Sequence, residues 1–95
     1  MPHVDKLYFE LENFDLNKKD SFFEIYFNGQ KFIHYYAPHP IVKDVLNFNK
    51  DYNETSKSNI LKWFKNEINL YKSMNLGTSE QKEMIQEMDN ILWKK

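Results

Sequence analysis

Ninety-five residues, 41% of them hydrophobic and 17% aromatic, supply material for one core and one compact domain, with no room for a second. Cysteine is absent, which excludes disulfides, thiolate nucleophiles, thiolate zinc sites and cysteine-ligated iron–sulfur clusters, and favours an intracellular life over that of a stapled secreted domain. Thirteen lysines stand against fourteen acidic residues, for a net charge of −1, and there is no arginine. Without that planar fork, phosphates and guanine edges would be gripped by lysine point charges alone, which argues against nucleic acid as the main ligand.

Residues 1–6 show neither a basic start nor an apolar run of signal-peptide length, and no window approaches the apolar length of a membrane span. The expected location is cytoplasmic and the expected partner is not a membrane. Asparagine, lysine, isoleucine, tyrosine and phenylalanine dominate the chain while alanine occurs once. That bias points to AT-rich coding DNA, as in low-GC bacteria, their mobile elements and their phages.

In chain order, residues 7–12 alternate strictly, with Leu7, Phe9 and Leu11 on one face and Tyr8, Glu10 and Glu12 on the other, the period of a half-buried strand. A polar connection, 13–21, follows. Residues 22–27 and 30–36 are aromatic and β-branched runs separated by Asn28-Gly29, the pair that suits a type I′ hairpin turn. A two-residue loop with unbroken pairing sets Ile25 opposite Phe32, Phe23 opposite His34 and Phe22 opposite Tyr35. That register places Phe23, Ile25, Phe27, Phe32 and His34 on the core face, and Phe22, Glu24, Tyr26, Lys31, Ile33 and Tyr35 on the other.

Ala37-Pro38-His39-Pro40 ends the strand, since neither proline can donate to a ladder. Pro40 then opens a short helix with Ile41, Val45 and Phe48 as its apolar stripe, residues 41–46 as a fourth edge strand being the alternative. Ser56 or Ser58 caps a helix reaching Met74, with Ile60, Phe64, Ile68 and Tyr71 buried, and Gly77 stops it. Thr78 with Gln81 makes a capping box for a last helix to Trp93 that buries Met84, Ile85 and Met88. The expected fold is α+β: a three-stranded antiparallel meander (1–36), a connector with a short helix (37–56), and an antiparallel helical hairpin (57–95) on one sheet face.

Catalytic chemistry finds little support in these residues. His34 and His39 supply two metal ligands without a nameable third, so no metal or cofactor is implied. Glu10 and Glu12 stand about 7 Å apart along a strand, but a glycosidase pair needs a deep cleft that so small a domain rarely encloses. Phosphate loops and nucleophile elbows need clustered glycines, and the two glycines lie at 29 and 77. A ribonuclease toxin would need cations on the sheet, which carries three glutamates against Lys31. Lys62, Lys65 and Lys72 form a basic stripe on one helix, with Trp63 beside it, and Glu80, Glu83 and Glu87 an acidic one on the next.

The remaining signal is the second sheet face, whose large amphipathic rings, Tyr8, Phe22, Tyr26, Tyr35 and Tyr36, exceed what a solvated sheet needs. The expected function is a non-catalytic, protein-binding inhibitor. Its most concrete form is an immunity protein that neutralises a bacterial toxin or nuclease by covering its basic cleft. The expected partner-binding residues are Tyr8, Glu10, Glu12, Phe22, Glu24, Tyr26, Lys31 and Tyr35. Alternatives are a phage-encoded, anti-CRISPR-like inhibitor of a host defence complex, and a nucleic-acid-associated regulator using the lysine stripe.

Overall fold

The computed structural model describes residues 3–4, 7–51 and 53–93. One antiparallel sheet in the order β1-β2-β3-β4 is built from β1 (His3–Val4), β2 (Leu7–Glu10), β3 (Phe22–Phe27) and β4 (Gln30–Tyr36). Three helices follow, α1 (Val42–Asp51), α2 (Glu54–Ser73) and α3 (Ser79–Ile91). The expected α+β meander with helices against one face is what forms, extended at one edge by the two-residue β1.

Alternation dictates which side is dry. Leu7 and Phe9 of β2 and Phe23, Ile25 and Phe27 of β3 are buried, and they meet Val45 and Phe48 of α1, Ile60, Phe64 and Ile68 of α2, and Met84, Ile85 and Met88 of α3. Phe9 meets Phe48 edge-on, and Phe32 meets Phe64 at 90°. Strand β2 ends at Glu10, two residues short of the expected 7–12. Phe14 N–H turns back to Leu11 C=O, and Ser21 closes the connecting loop by donating to the carbonyls of Asp15 and Lys18.

The Asn28-Gly29 turn has φ values of 53° and 82°, both in the left-handed region that a type I′ turn requires. The ladder beyond it is not regular. Tyr26 pairs with Lys31, but Ile25 pairs with Ile33, so Phe32 is an extra residue in β4, a β-bulge. Phe32 and Ile33 both turn towards the helices. Every later side chain of β4 is therefore displaced by one from the unbroken register: Tyr35 pairs with Phe23, His34 with Glu24, and Tyr36 with Phe22.

Residues 41–46 belong to a helix and its approach, so the alternative fourth edge strand does not form. His39 sits in the turn that leads into α1, its Nδ1 accepting from Ile41 N–H and its C=O from Val42 N–H. Helix α2 starts earlier than expected, with Asn53 as its N-cap accepting from the N–H groups of Thr55 and Ser56, while Ser56 is buried in the first turn. Its stop is Asn75, not Gly77. At φ 54° Asn75 donates to Lys72 C=O while Leu76 donates to Tyr71 C=O, the paired bonds of a Schellman motif.

Gln81 does two things. Its Oε1 accepts from Thr78 N–H, completing the expected capping box, and its Nε2 donates to the carbonyl of the bulged Phe32 at 2.6 Å. The bulge's displaced carbonyl is thus satisfied by the helix that packs beneath it.

Candidate functional site

The face of the sheet opposite the helices is assembled by three rows running across the strands. Tyr8, Tyr26 and Lys31 pair in one row, Glu10, Glu24 and His34 in the next, and Phe22 with Tyr36 in the last. None of these side chains is fully buried, and Tyr36 is 54% exposed. The rings touch in two groups: Tyr8 and Tyr26 with centroids 5.6 Å apart, and Phe22 with His34 at 5.1 Å and Tyr36 at 6.4 Å. Between the groups lie the two carboxylates.

Those carboxylates sit on directly opposed residues, where like charges repel. Local partners moderate the repulsion. Tyr8 OH donates to Glu10 Oε2, Glu12 N–H donates to Glu10 Oε1 at 3.1 Å, and Lys31 Nζ lies 3.3 Å from Glu24 Oε2. The hydrogen bond to Glu10 favours the neutral phenol, so the Tyr8 pKa is pushed up to about 12, with loss of hydration adding to it.

Six of the eight expected partner-binding residues, Tyr8, Glu10, Phe22, Glu24, Tyr26 and Lys31, share this face. Glu12 lies past the end of β2 and is exposed there. The placement of Tyr35 is corrected: the bulge turns it to the helix side, where it stacks on Phe23 and donates to Glu67 Oε2 at 2.9 Å. Burial, together with the Glu67 charge, pushes its pKa up strongly. His34 and Ile33 are corrected by the same shift, His34 moving to the open face and Ile33 to the core. His34 is thus a face residue that an unbroken register misses, and Tyr36, expected among the rings of that face, lies on it. The cue was Phe32-Ile33, two adjacent apolar residues that break the alternation of β4.

Tyr35 also anchors a second cluster, at the junction of β4 with α2. His39 packs 4.8 Å from Tyr35 and 5.1 Å from Trp63. Burial lowers the His39 pKa, and the nearby Glu67 charge opposes that shift. Expected as an exposed turn residue or a helix cap, His39 is half-buried in the turn before α1. The rings of Tyr35, His39 and Trp63 all lie against one another.

The lysine stripe faces α3. Lys72 pairs with Asp89, and Lys65 Nζ stands 6.0 Å from the centre of the Trp93 ring, so two of its three cations already have partners. A groove of about 360 Å³ lies between these helices, lined by Tyr71, Leu76, Lys82 and Ile85 among others. The acidic stripe Glu80, Glu83 and Glu87 borders the β3–β4 turn beside Asn28 and Gln30. Among the described residues there is no group of three or more side chains placed to hold a metal ion, and no helix is long and apolar enough to cross a membrane. The chain matches no protein-family model, no curated protein and no solved structure.

Proposed function

We propose that the protein is a non-catalytic binding protein that docks the open face of its sheet onto a basic surface of a partner protein. Its most concrete form is an immunity protein that covers the cationic cleft of a bacterial toxin or nuclease in the cytoplasm. The observation that carries the reading is the second face: half-exposed rings of Tyr8, Phe22, Tyr26 and Tyr36 surround Glu10 and Glu24, while all three helices pack on the other side. Tyrosine gives contact area at small entropic cost, and carboxylates speed encounter with a cationic cleft. The lysine-stripe alternative loses support, because Lys65 and Lys72 are engaged with Trp93 and Asp89.

The test is recovery of the partner from extracts of the source cell with nuclease treatment, followed by binding kinetics on variants. Changing Glu10, Glu12 and Glu24 to Gln should slow association and flatten its salt dependence. Tyr26→Ala should raise the dissociation rate, with a loss of about 2 kcal/mol as for a central aromatic anchor. Changing Lys62, Lys65 and Lys72 to Gln should leave the complex in place. Loss of function in the lysine variant alone, or of the captured material on nuclease treatment, overturns the reading. A recovered host defence complex, in place of a toxin, would assign the same face to the phage inhibitor.

A further inference from the structure

The molecule carries two rows of acid, and they differ in their surroundings. Glu80, Glu83 and Glu87 run along a helix flank beside the polar turn residues Asn28 and Gln30. Glu10 and Glu24 are instead opposed across a ladder and bounded on both sides by rings, Tyr8 with Tyr26 on one side and Phe22 with Tyr36 on the other. A cation seated on the sheet would meet two carboxylates whose repulsion it relieves and aromatic walls along its path.

Resting on the reading of this face as a docking surface, we infer that its occupant is a partner protein that seats an arginine side chain over the Glu10–Glu24 pair, between the two groups of rings. Charge complementarity selects a cation, and geometry selects guanidinium over ammonium. The planar fork can bridge two carboxylates with paired N–H donors, its faces stack on aromatic rings, and it is more weakly hydrated than an ammonium. An ammonium is a point charge, and Lys31 already supplies one to Glu24. The chain contains no arginine, so a second copy cannot provide the group and the partner is a different protein.

The test is an NMR titration of the isotope-labelled protein at low salt with two capped tripeptides, Gly-Arg-Gly and Gly-Lys-Gly. The arginine peptide should shift the amides of residues 8, 10, 24 and 26 and bind several-fold more tightly than the lysine peptide. Glu24→Gln should erase most of that preference, and the α3 acidic row should respond less than the sheet. Equal affinity for the two peptides at the sheet, or an arginine preference that survives Glu24→Gln, overturns the arginine assignment and leaves an acidic docking face standing. Shifts confined to α3, or no shifts on the sheet with either peptide, overturn both the assignment and the docking face.

Discussion

The two faces of the sheet are built from the same strands and carry comparable numbers of rings, yet they do opposite work. The helix side holds Phe9, Phe23, Phe27 and Phe32, each at most 3% exposed. The open side holds Tyr8, Tyr26 and Tyr36, with Phe22 placed between His34 and Tyr36. Aromatic content therefore does not separate core from surface in this chain, whereas the hydroxyl does. A phenylalanine ring can be fully dried, while a tyrosine needs water or a partner for its OH, and Tyr35, the helix-side tyrosine of the described strands, has Glu67. A face of tyrosines mixed with carboxylates stays wet.

The largest expected effect separates the faces directly. Phe9→Ala should cost about 3–5 kcal/mol, as cavity-forming core truncations do, whereas Tyr26→Ala should cost about 1 kcal/mol, the worth of a cross-strand aromatic contact. Denaturant unfolding of both variants reads the difference. Equal losses would mean that the open face is as dry in solution as the core.

Next in size is the turn that holds the faces in register. Gly29→Val should cost about 1–3 kcal/mol. Beyond Gly29 and its two chain neighbours no atom lies within 4 Å of a Cβ built there, so a loss would come from the φ of 82° and not from a clash with the rest of the fold. A melting temperature equal to the parent's would remove the type I′ turn.

Gln81→Ala should cost about 1–2 kcal/mol, since it deletes half of the capping box and leaves the Phe32 carbonyl without its donor. The amide spectrum of residues 31–36 should change more than that of the α2 C-terminus. The reverse pattern would confine Gln81 to capping and cut its link to the register of β4.

The smallest effect lies on the open face itself. Alkaline titration followed by phenolate absorbance should show a tyrosine ionising near pH 12, and Glu10→Gln should return it towards 10. Because the folded pKa lies above the unfolded one, the stability from neutral Tyr8 is complete below about pH 10 and is lost as pH rises towards about 12. A parent titration with no tyrosine ionising near pH 12 would break the Tyr8–Glu10 bond.

Much of this was legible in the residues. Strict alternation at 7–10 and 22–27, Asn28-Gly29, the Ile41–Val45–Phe48 stripe and the Thr78–Gln81 box each name their structure through local chemistry. What was not legible came from contacts distant in sequence. The expected hairpin register continues the turn's pairing, but the Phe32 bulge is held by a glutamine on the last helix, and it alone moves Tyr35 inward and His34 outward. Two caps of α2 were misplaced for a milder reason: Asn53 is as good an N-cap type as Ser56 or Ser58, and Asn75 takes the positive φ that Gly77 also can, so residue type alone does not choose between them. Six of the eight candidate site residues were placed on the right face because they precede the bulge or lie on neighbouring strands.

The bond from Gln81 to Phe32 spans 49 positions of chain. While the protein is being synthesised, the β3–β4 hairpin emerges long before the donor that satisfies its irregular carbonyl. In that interval the regular pairing, with His34 turned inward and Tyr35 outward, competes without opposition from α3. The open face would then be finished last, by a residue that is not part of it, and an incomplete chain would present the wrong rings. Hydrogen exchange on stalled nascent chains ending before residue 78 reads this directly, and native protection across residues 31–36 would show that the register sets itself without the helix.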